Sequence, residues 1–412
     1  MDLAAAVAWA RQALDGEIVE SRLLTAGNAR LTAQLTIAGP PRRRVILRHE
    51  SGGGPLADSV FSLEREAAVC RALETADLPT PKVLAGDLEL SIILTEWLPG
   101  EGDLQAVAMD DYLRCLGRLH AIEPTSLDLP GFTASIRHEI DTWHGIFVAK
   151  APGGSAVAEY ALLRLRERVP CEPRRSVLCH GDAGTGNYLR EGRRVTAMLD
   201  WEMAHLGDPL DDLAWITVRA AQLGVDLGDF GGRIERDYGA GSVDLHDLER
   251  IRFWQAFGLL RMLIICLSAA ARPRSGKERL LQMTLIPVIE FQLLEAIATM
   301  DGRSVVDSLA GAPLDAAAFP GDLVREAAAD INDSLLPRLR GDHAVENWTK
   351  RIRNLLNQIA MAAPAHGARR TPSLDSLAEQ TAARLRWLPA GTHQARRKLA
   401  TLTPAGRLDN AE

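Results

Sequence analysis

The sequence predicts an α+β fold: a small antiparallel sheet with one helix, then a mainly helical body, then a further helical extension. Three observations predict it. Two-residue apolar alternation is concentrated before Pro99, a second short hairpin pattern lies between Ser176 and Asp200, and helical spacing dominates the remainder. At 412 residues the chain exceeds one ordinary hydrophobic core, so a division into 1–98, 99–310 and 311–412 is expected.

Composition narrows the classes. Apolar residues make up 47% and charged residues 25%, the balance of a globular protein. A formal net charge of -7 provides no general attraction for nucleic acid or an anionic membrane, so neither is expected as a partner and a small molecule is. The oligomeric state is left open. The 5 cysteines are scattered, without a C-x-x-C pair, so neither a disulfide framework nor a zinc site is indicated, and the usage suits the cytoplasm. MDLAAAVAWARQALDGE reads as an amphipathic helix with no export signal. The apolar run from Phe257, FGLLRMLIICLSAAA, is short for a bilayer span and contains Arg261, so a buried helix is expected.

From Ile18 onward, Leu31, Ala33, Leu35 and Ile37 alternate with Thr32, Gln34 and Thr36, the period of a half-buried strand. TAGNA at 25–29 joins it to the strand before, and AGPP at 38–41 to a strand around Val45 to Arg48. The tip Gly27-Asn28 admits positive φ and two readings: a plain hairpin turn, or a loop whose N–H groups cover phosphates. A helix follows SGGGP, with Val60, Leu63, Ala67, Cys70 and Leu73 as its apolar stripe and Asp58 or Ser59 as its cap. Glu66 falls within that stripe and Glu64 outside it. Either Glu66 is buried and needs a cation, for which Arg48 is available, or it reaches solvent at the edge of the interface. SIILTEWLPG reads as a buried strand, Ser91 to Thr95, ending in Glu96 and a Pro99-Gly100 break between domains.

The densest chemistry is LCHGDAGTGNYLREGRRVTAMLDWEMAHLGDPLDDLAW, residues 178–215. Ser176 to Cys179 leads into His180, Gly181 and Asp182; Asn187 opens a strand, Glu191-Gly192 turns it, and Val195, Ala197 and Leu199 alternate on the return to Asp200. Asp182, Asn187 and Asp200 thus converge at one end of a hairpin. Two carboxylates and an amide are hard oxygen ligands, which suit Mg²⁺ on phosphates better than zinc. The bland alternative is a polar hairpin whose aspartates cap turns. Asp208 and Asp212 fit ordinary turn and capping roles, and Trp201 and Trp215 fit a core. Glu202 and His205 could face the metal region, though their spacing does not compel it.

HGDAGTGN reproduces the H-x-D-x-x-x-x-N spacing of a kinase catalytic loop, with Asp200 in LDWE at the place of the downstream metal-binding aspartate. With LDWExAxLGDPxxDLAW, it resembles the aminoglycoside-phosphotransferase and choline-kinase-like family over roughly Ile18 to Met300. The resemblance implies a two-lobed protein-kinase-like fold and an ATP- and Mg²⁺-dependent transfer of phosphate to the hydroxyl of a small molecule. Residues 1–98 would form the nucleotide-binding lobe and 99–310 the helical lobe with the substrate pocket. Asp182 would take or orient the hydroxyl proton, Asn187 and Asp200 would hold Mg²⁺, and His180 would brace the loop. Gly27 and Asn28 would cover the phosphates, Arg48 and Glu66 would form the cation-carboxylate pair, and Glu96 to Leu98 would meet adenine. One departure stands out: Arg48 in VILRH occupies the usual lysine position. That VLR-type strand resembles a subgroup associated with acyl-CoA dehydrogenases, which points by analogy to a hydroxyacyl-CoA acceptor. The competing hypotheses are a catalytically inactive nucleotide-binding regulatory module and, on the same fold, nucleotidyl transfer. Beyond Gly311 the linker-like GAPLDAAAFPG leads to a helical extension that resembles a small module attached to such enzymes; its role is open.

Overall fold

A computed structural model describes residues 2–26, 30–50, 52–173, 175–239, 243–272 and 276–304. Gly27, Asn28 and the extension from 311 onward lie outside the described residues. Helix α1, Leu3–Ala13, is capped by Asp2, whose Oδ1 accepts the Ala5 N–H at 2.8 Å. Strands β1 (Ile18–Ala26), β2 (Arg30–Ile37) and β3 (Arg43–Glu50) follow, then α2 (Leu63–Ala72), β4 (Val83–Asp87) and β5 (Ile92–Glu96). The sheet order is β1-β2-β3-β5-β4, antiparallel throughout.

Alternation gives the sheet two working faces. Leu35, Ile37, Val45, Leu47, Ile92 and Leu94 pack with Ala6, Val7 and Ala10 of α1, whereas Ile93 packs with Leu63 and Ala67 of α2. Arg48 lies opposite Thr32 in the β2–β3 register, next to the buried Leu47 and on the other face. The apolar half of β3 is thereby sealed under α1 and its polar half is free for chemistry.

Two local expectations need correction. The cap of α2 is Ser62, whose Oγ accepts the Arg65 N–H, and neither Asp58 nor Ser59 takes that role. Asp58 has φ 55°, a turn conformation, while Ser62 has the extended backbone that a cap requires. Val60 consequently stands before the helix and is 54% exposed, outside the stripe. Strand β4 was hidden in a segment with Pro79 and Pro81, too short and mixed to show a period.

Beyond the sheet come β6 (Glu101–Gly102), α3 (Met109–Ala121), α4 (Ile136–Lys150), α5 (Ala156–Glu167) and β7 (Val177–Cys179). Strands β8 (Tyr188–Glu191) and β9 (Arg194–Met198) form the expected hairpin, with Glu191 opposite Arg194. Its turn is therefore Gly192-Arg193, one residue later than expected, because Gly192 at φ 60° takes the left-handed position. Strand β10 (His205–Gly207) pairs with β7 and leads into α6 (Pro209–Leu223); α7 (Phe230–Arg233), α8 (Leu248–Ala271) and α9 (Gly276–Met300) complete the described chain.

Residues 1–141 and 169–258 form one compact unit, which holds the sheet, α2 and the hairpin; a second contains residues 142–168 and, among the described residues, 259–304. In the second, Ser155 caps α5 and donates from Oγ to Glu290 at 2.9 Å, and Arg164 pairs with Asp301 at 3.1 Å. Helix α8 is long and apolar enough to cross a membrane by composition, yet it is largely buried in protein, including Arg261 at 1% exposure. It is a core helix, as its internal arginine suggested.

Because Leu47 is fully buried between α1 and the sheet, Leu47→Ala should cost about 2–5 kcal/mol. Urea denaturation of the two proteins measures the difference; a loss below about 1 kcal/mol would contradict this packing.

Candidate active site

The loop between β7 and β8 is set in place before any chemistry is considered. Gly181 has φ 81°, and a Cβ there would lie 1.9 Å from the Met203 carbonyl oxygen, so only glycine fits. The Asp212 carboxylate, at the start of α6, accepts the His180 N–H at 2.7 Å and the Gly181 N–H at 2.8 Å. His120 Nε2 lies 3.0 Å from the same carboxylate, and its Nδ1 lies 2.7 Å from the Tyr238 hydroxyl. Farther along, the Tyr112 hydroxyl accepts the Gly184 N–H at 3.2 Å and the Asp103 carbonyl accepts the Gly186 N–H at 2.9 Å.

His180 was expected to brace this loop, and it does so by packing. Its ring is buried against Trp201 with centroids 4.4 Å apart, and both ring nitrogens lack a hydrogen-bond partner among the described residues. Burial lowers its pKa, so the ring stays neutral.

Asp182 is held on both oxygens. Oδ1 accepts Trp215 Nε1 at 2.8 Å and the Arg219 guanidinium, while Oδ2 accepts Asn187 Nδ2 at 2.6 Å. Asn187 Nδ2 also reaches the Asp182 carbonyl oxygen at 2.8 Å. The Leu199 N–H donates to the Asn187 carbonyl at 2.9 Å, which brings Asp200 back beside the loop. Asp200 itself has φ 62°, a left-handed conformation that costs a non-glycine residue of order 1 kcal/mol or more and re-aims its side chain at the end of β9.

Arg48 joins the two parts of the site. Its guanidinium is paired with Glu66 and, at 2.5 Å, with Asp200 Oδ1. Glu66 is 3% exposed, which decides between its two readings: it faces inward and is paired. A second arginine was not foreseen. Arg30, buried at the start of β2, contacts Glu66 Oε2 at 3.2 Å and also pairs with Glu202. Burial opposes the charge on Arg48, but Glu66, Asp200 and Glu202 outweigh it and raise its pKa. Burial would raise the Asp200 pKa, and Arg48 and Arg30 bring it below the usual range, so it is ionised at neutral pH. Burial raises Glu66, and burial with the neighbouring charges of Asp200 and Glu66 pushes Glu202 up to about 7.

The structure thus brings Asp182, Asn187 and Asp200 together with Arg48 and Glu66. Glu96 ends β5, donating its N–H to the Lys82 carbonyl at 2.8 Å, and Leu98 follows it, half-buried. Among the described residues no hydrogen bond joins either one to Asp182, Asn187 or Asp200. Asp208 and Asp212 have the structural roles their positions suggested: Asp208 caps α6 by accepting the Leu210 N–H at 3.0 Å, and Asp212 fastens the loop. His205 turns to Asp211, 3.0 Å away, and Glu202 to Arg30. His120, Cys179 and Asp212 lie close enough to suggest a metal trio, but the imidazole and carboxylate are engaged in the hydrogen bonds just described. Arg30 was legible in principle, since it shares the alternation phase of Thr32 and hence the face of Arg48. Arg219 had no such signal.

With this geometry in place the comparisons with known proteins are decisive. The model of the phosphotransferase enzyme family matches residues 22–254, more than half of the chain. The chain belongs to that family. Among its curated relatives, acyl-CoA dehydrogenase family member 11 of Gallus gallus is 29% identical over 188 residues, 40% of this chain and 24% of that protein. Member 10 of Mus musculus is 30% identical over 194 residues, 42% of this chain and 18% of that protein. This phosphotransferase-family chain therefore spans under a quarter of the length of those two relatives. A solved structure of a proposed aminoglycoside phosphotransferase from Ralstonia eutropha superposes with a TM-score of 0.51 and 19% identity, over 73% of this chain and 98% of that one. That likeness establishes the two-lobed protein-kinase-like fold.

Burial would raise the Asp212 pKa, but hydrogen bonding and the charge of His120 bring it down to about 2. A folded-state value below the usual 3.8 means that its contribution is complete above about pH 4 and is lost as pH falls toward 2. Asp212→Asn, which turns a donor toward one of two backbone N–H groups, should destabilise by roughly 3 kcal/mol at pH 7. Urea denaturation across pH should show that gap narrowing below pH 4; a gap independent of pH would refute the assignment.

Proposed function

We propose that this chain transfers the γ-phosphoryl group of ATP, with Mg²⁺, to a hydroxyl of a small molecule. The observation that carries the reading is the division of labour at the Asp182 carboxylate. Oδ1 is taken by two donors from α6, whereas Oδ2, among the described residues, receives only Asn187 and has capacity for an incoming hydroxyl. Asp182 accordingly orients the hydroxyl and receives its proton, a modest task in a loose phosphoryl transfer that depends on positioning.

The donor chemistry fits a magnesium ion. Asn187 spends its Nδ2 on Asp182, which leaves Oδ1; Asp200 spends Oδ1 on Arg48, which leaves Oδ2 on a side chain still 40% exposed. An amide oxygen and an ionised carboxylate oxygen are hard ligands of the kind Mg²⁺ selects. When bound there, Mg²⁺ with the nucleotide would neutralise phosphate charge. Arg48 stays fully charged and bridges Glu66 to Asp200, two duties that suit a planar fork better than an ammonium, which accounts for arginine at this position. Residues 1–98 then serve as the nucleotide lobe, with Gly27-Asn28 over the phosphates and Glu96 to Leu98 at adenine, and residues 99–310 carry the acceptor pocket.

The acceptor class we favour is a hydroxyacyl-CoA, supported by the relation to acyl-CoA dehydrogenase family members 10 and 11. ADP release should be followed with ATP and Mg²⁺ against hydroxyacyl-CoAs, aminoglycosides, choline and sugars. Stimulation by one class, with a fall of about 10²–10⁴-fold in Asp182→Asn, is the expected result. ATP binding with no phosphorylated product from any alcohol would favour the regulatory-module reading instead, and pyrophosphate release would indicate nucleotidyl transfer.

A further inference from the structure

The catalytic loop, His180 to Asn187, contains no Lys or Arg, yet a guanidinium lies against its central carboxylate. It arrives from α6, where Trp215 and Arg219, one helical turn apart, both present donors to Asp182 Oδ1. Arg219 also donates from a second nitrogen to the Thr185 carbonyl at 3.1 Å, so one planar group closes the loop from Asp182 to Thr185.

The loop is shaped to receive it. Gly184 and Gly186 adopt φ 127° and 95°; a Cβ on Gly186 would sit 3.4 Å from the outer Arg219 nitrogen, and one on Gly184 3.8 Å from its Cδ. A Cβ at either position would be in ordinary van der Waals contact with Arg219, and it is the positive φ that favours glycine there. Burial opposes the charge on Arg219, but Asp182 outweighs it and raises its pKa, so it remains a cation.

We infer that Arg219 is the positioning residue for phosphoryl transfer: it holds Oδ1 of Asp182 and thereby dedicates Oδ2 to the acceptor hydroxyl. This rests on the proposed role of Asp182. Without the guanidinium the carboxylate turns about its Cβ–Cγ bond and shares both oxygens between Trp215 and Asn187, and the orientation of the hydroxyl relative to the phosphoryl group is lost. A lysine delivers one point charge and cannot span Asp182 and Thr185 together. The loss falls on turnover, because Arg219 bonds to Asp182 and Thr185 and, among the described residues, has no hydrogen bond to Arg48, Glu66, Glu96 or Leu98.

The test uses the full chain with ATP and Mg²⁺ and water as the acceptor, so that it does not depend on the identity of the alcohol. ADP release, ATP affinity and thermal stability are measured for the parent, Arg219→Gln, Arg219→Lys, Arg219→Gly and Asp182→Asn. The expected result is a drop of about 10²-fold in turnover for Arg219→Gln, with ATP affinity within about twofold of the parent. Arg219→Lys should fall between the two, at about tenfold. Added guanidinium should restore part of the turnover of Arg219→Gly and none of that of Asp182→Asn. Should Arg219→Gln not fold, the lysine variant and the rescue decide the matter. Parent-like turnover in the arginine variants, with Asp182→Asn inactive, would overturn the positioning role and leave the transfer reading intact. Parent-like turnover in Asp182→Asn, or no ATP binding by the parent, would overturn both.

Discussion

The interaction on which the site depends is the buried charge network that runs through Arg48. Gathering five ionisable side chains, two of them, Arg30 and Glu66, buried, is unfavourable unless each finds a partner. Arg48 meets Glu66 and Asp200, Arg30 meets Glu66 and Glu202, and the remaining excess of one carboxylate is relieved by Glu202 titrating near neutrality. The network ties β2, β3, α2 and the end of the β8–β9 hairpin into one arrangement. Because Arg48 pairs with both Glu66 of α2 and Asp200, the positions of α2 and of Asp200 are set together.

A second constraint is geometric. The loop that carries Asp182 is positioned by groups with no chemical task of their own: the absent side chain of Gly181, the Asp212 carboxylate on two consecutive N–H groups, and the indole of Trp201 under the His180 ring. Helix α6 supplies most of what remains, with Asp212, Trp215 and Arg219 on successive turns facing the loop. The same helix is capped by Asp208, which also accepts Trp254 Nε1 at 2.8 Å from α8. Core packing and loop precision are thus one construction: the helix is held by burial and in turn holds the loop.

Relation to the acyl-CoA dehydrogenase family proteins covers 40–42% of this chain and under a quarter of those two. The loop and hairpin lie within residues 22–254, the part that matches the phosphotransferase enzyme family. Acceptor recognition depends on surfaces that differ among chains sharing one catalytic loop.

The sequence by itself determined most of the elements and which polar residues gather at the hairpin. Alternation in 31–37 and 45–48 declared the sheet, and the spacing from His180 through Asn187 to Asp200 declared that Asp182, Asn187 and Asp200 come together at one end of a hairpin, because both signals are local. It also narrowed Glu66 to two fates by placing it in an apolar stripe. Tertiary structure decided the rest. That Glu66 is paired, that Arg30 joins Arg48, and that Arg219 reaches Asp182 from 37 residues away are contacts between segments with no fixed spacing. The cap of α2 at Ser62 and the turn at Gly192-Arg193 were likewise settled by backbone conformation, φ −132° at the one and 60° at the other. A periodic pattern shows which face of an element is buried, but only packing determines what that face meets, since the partner is chosen by the free energy of the whole fold.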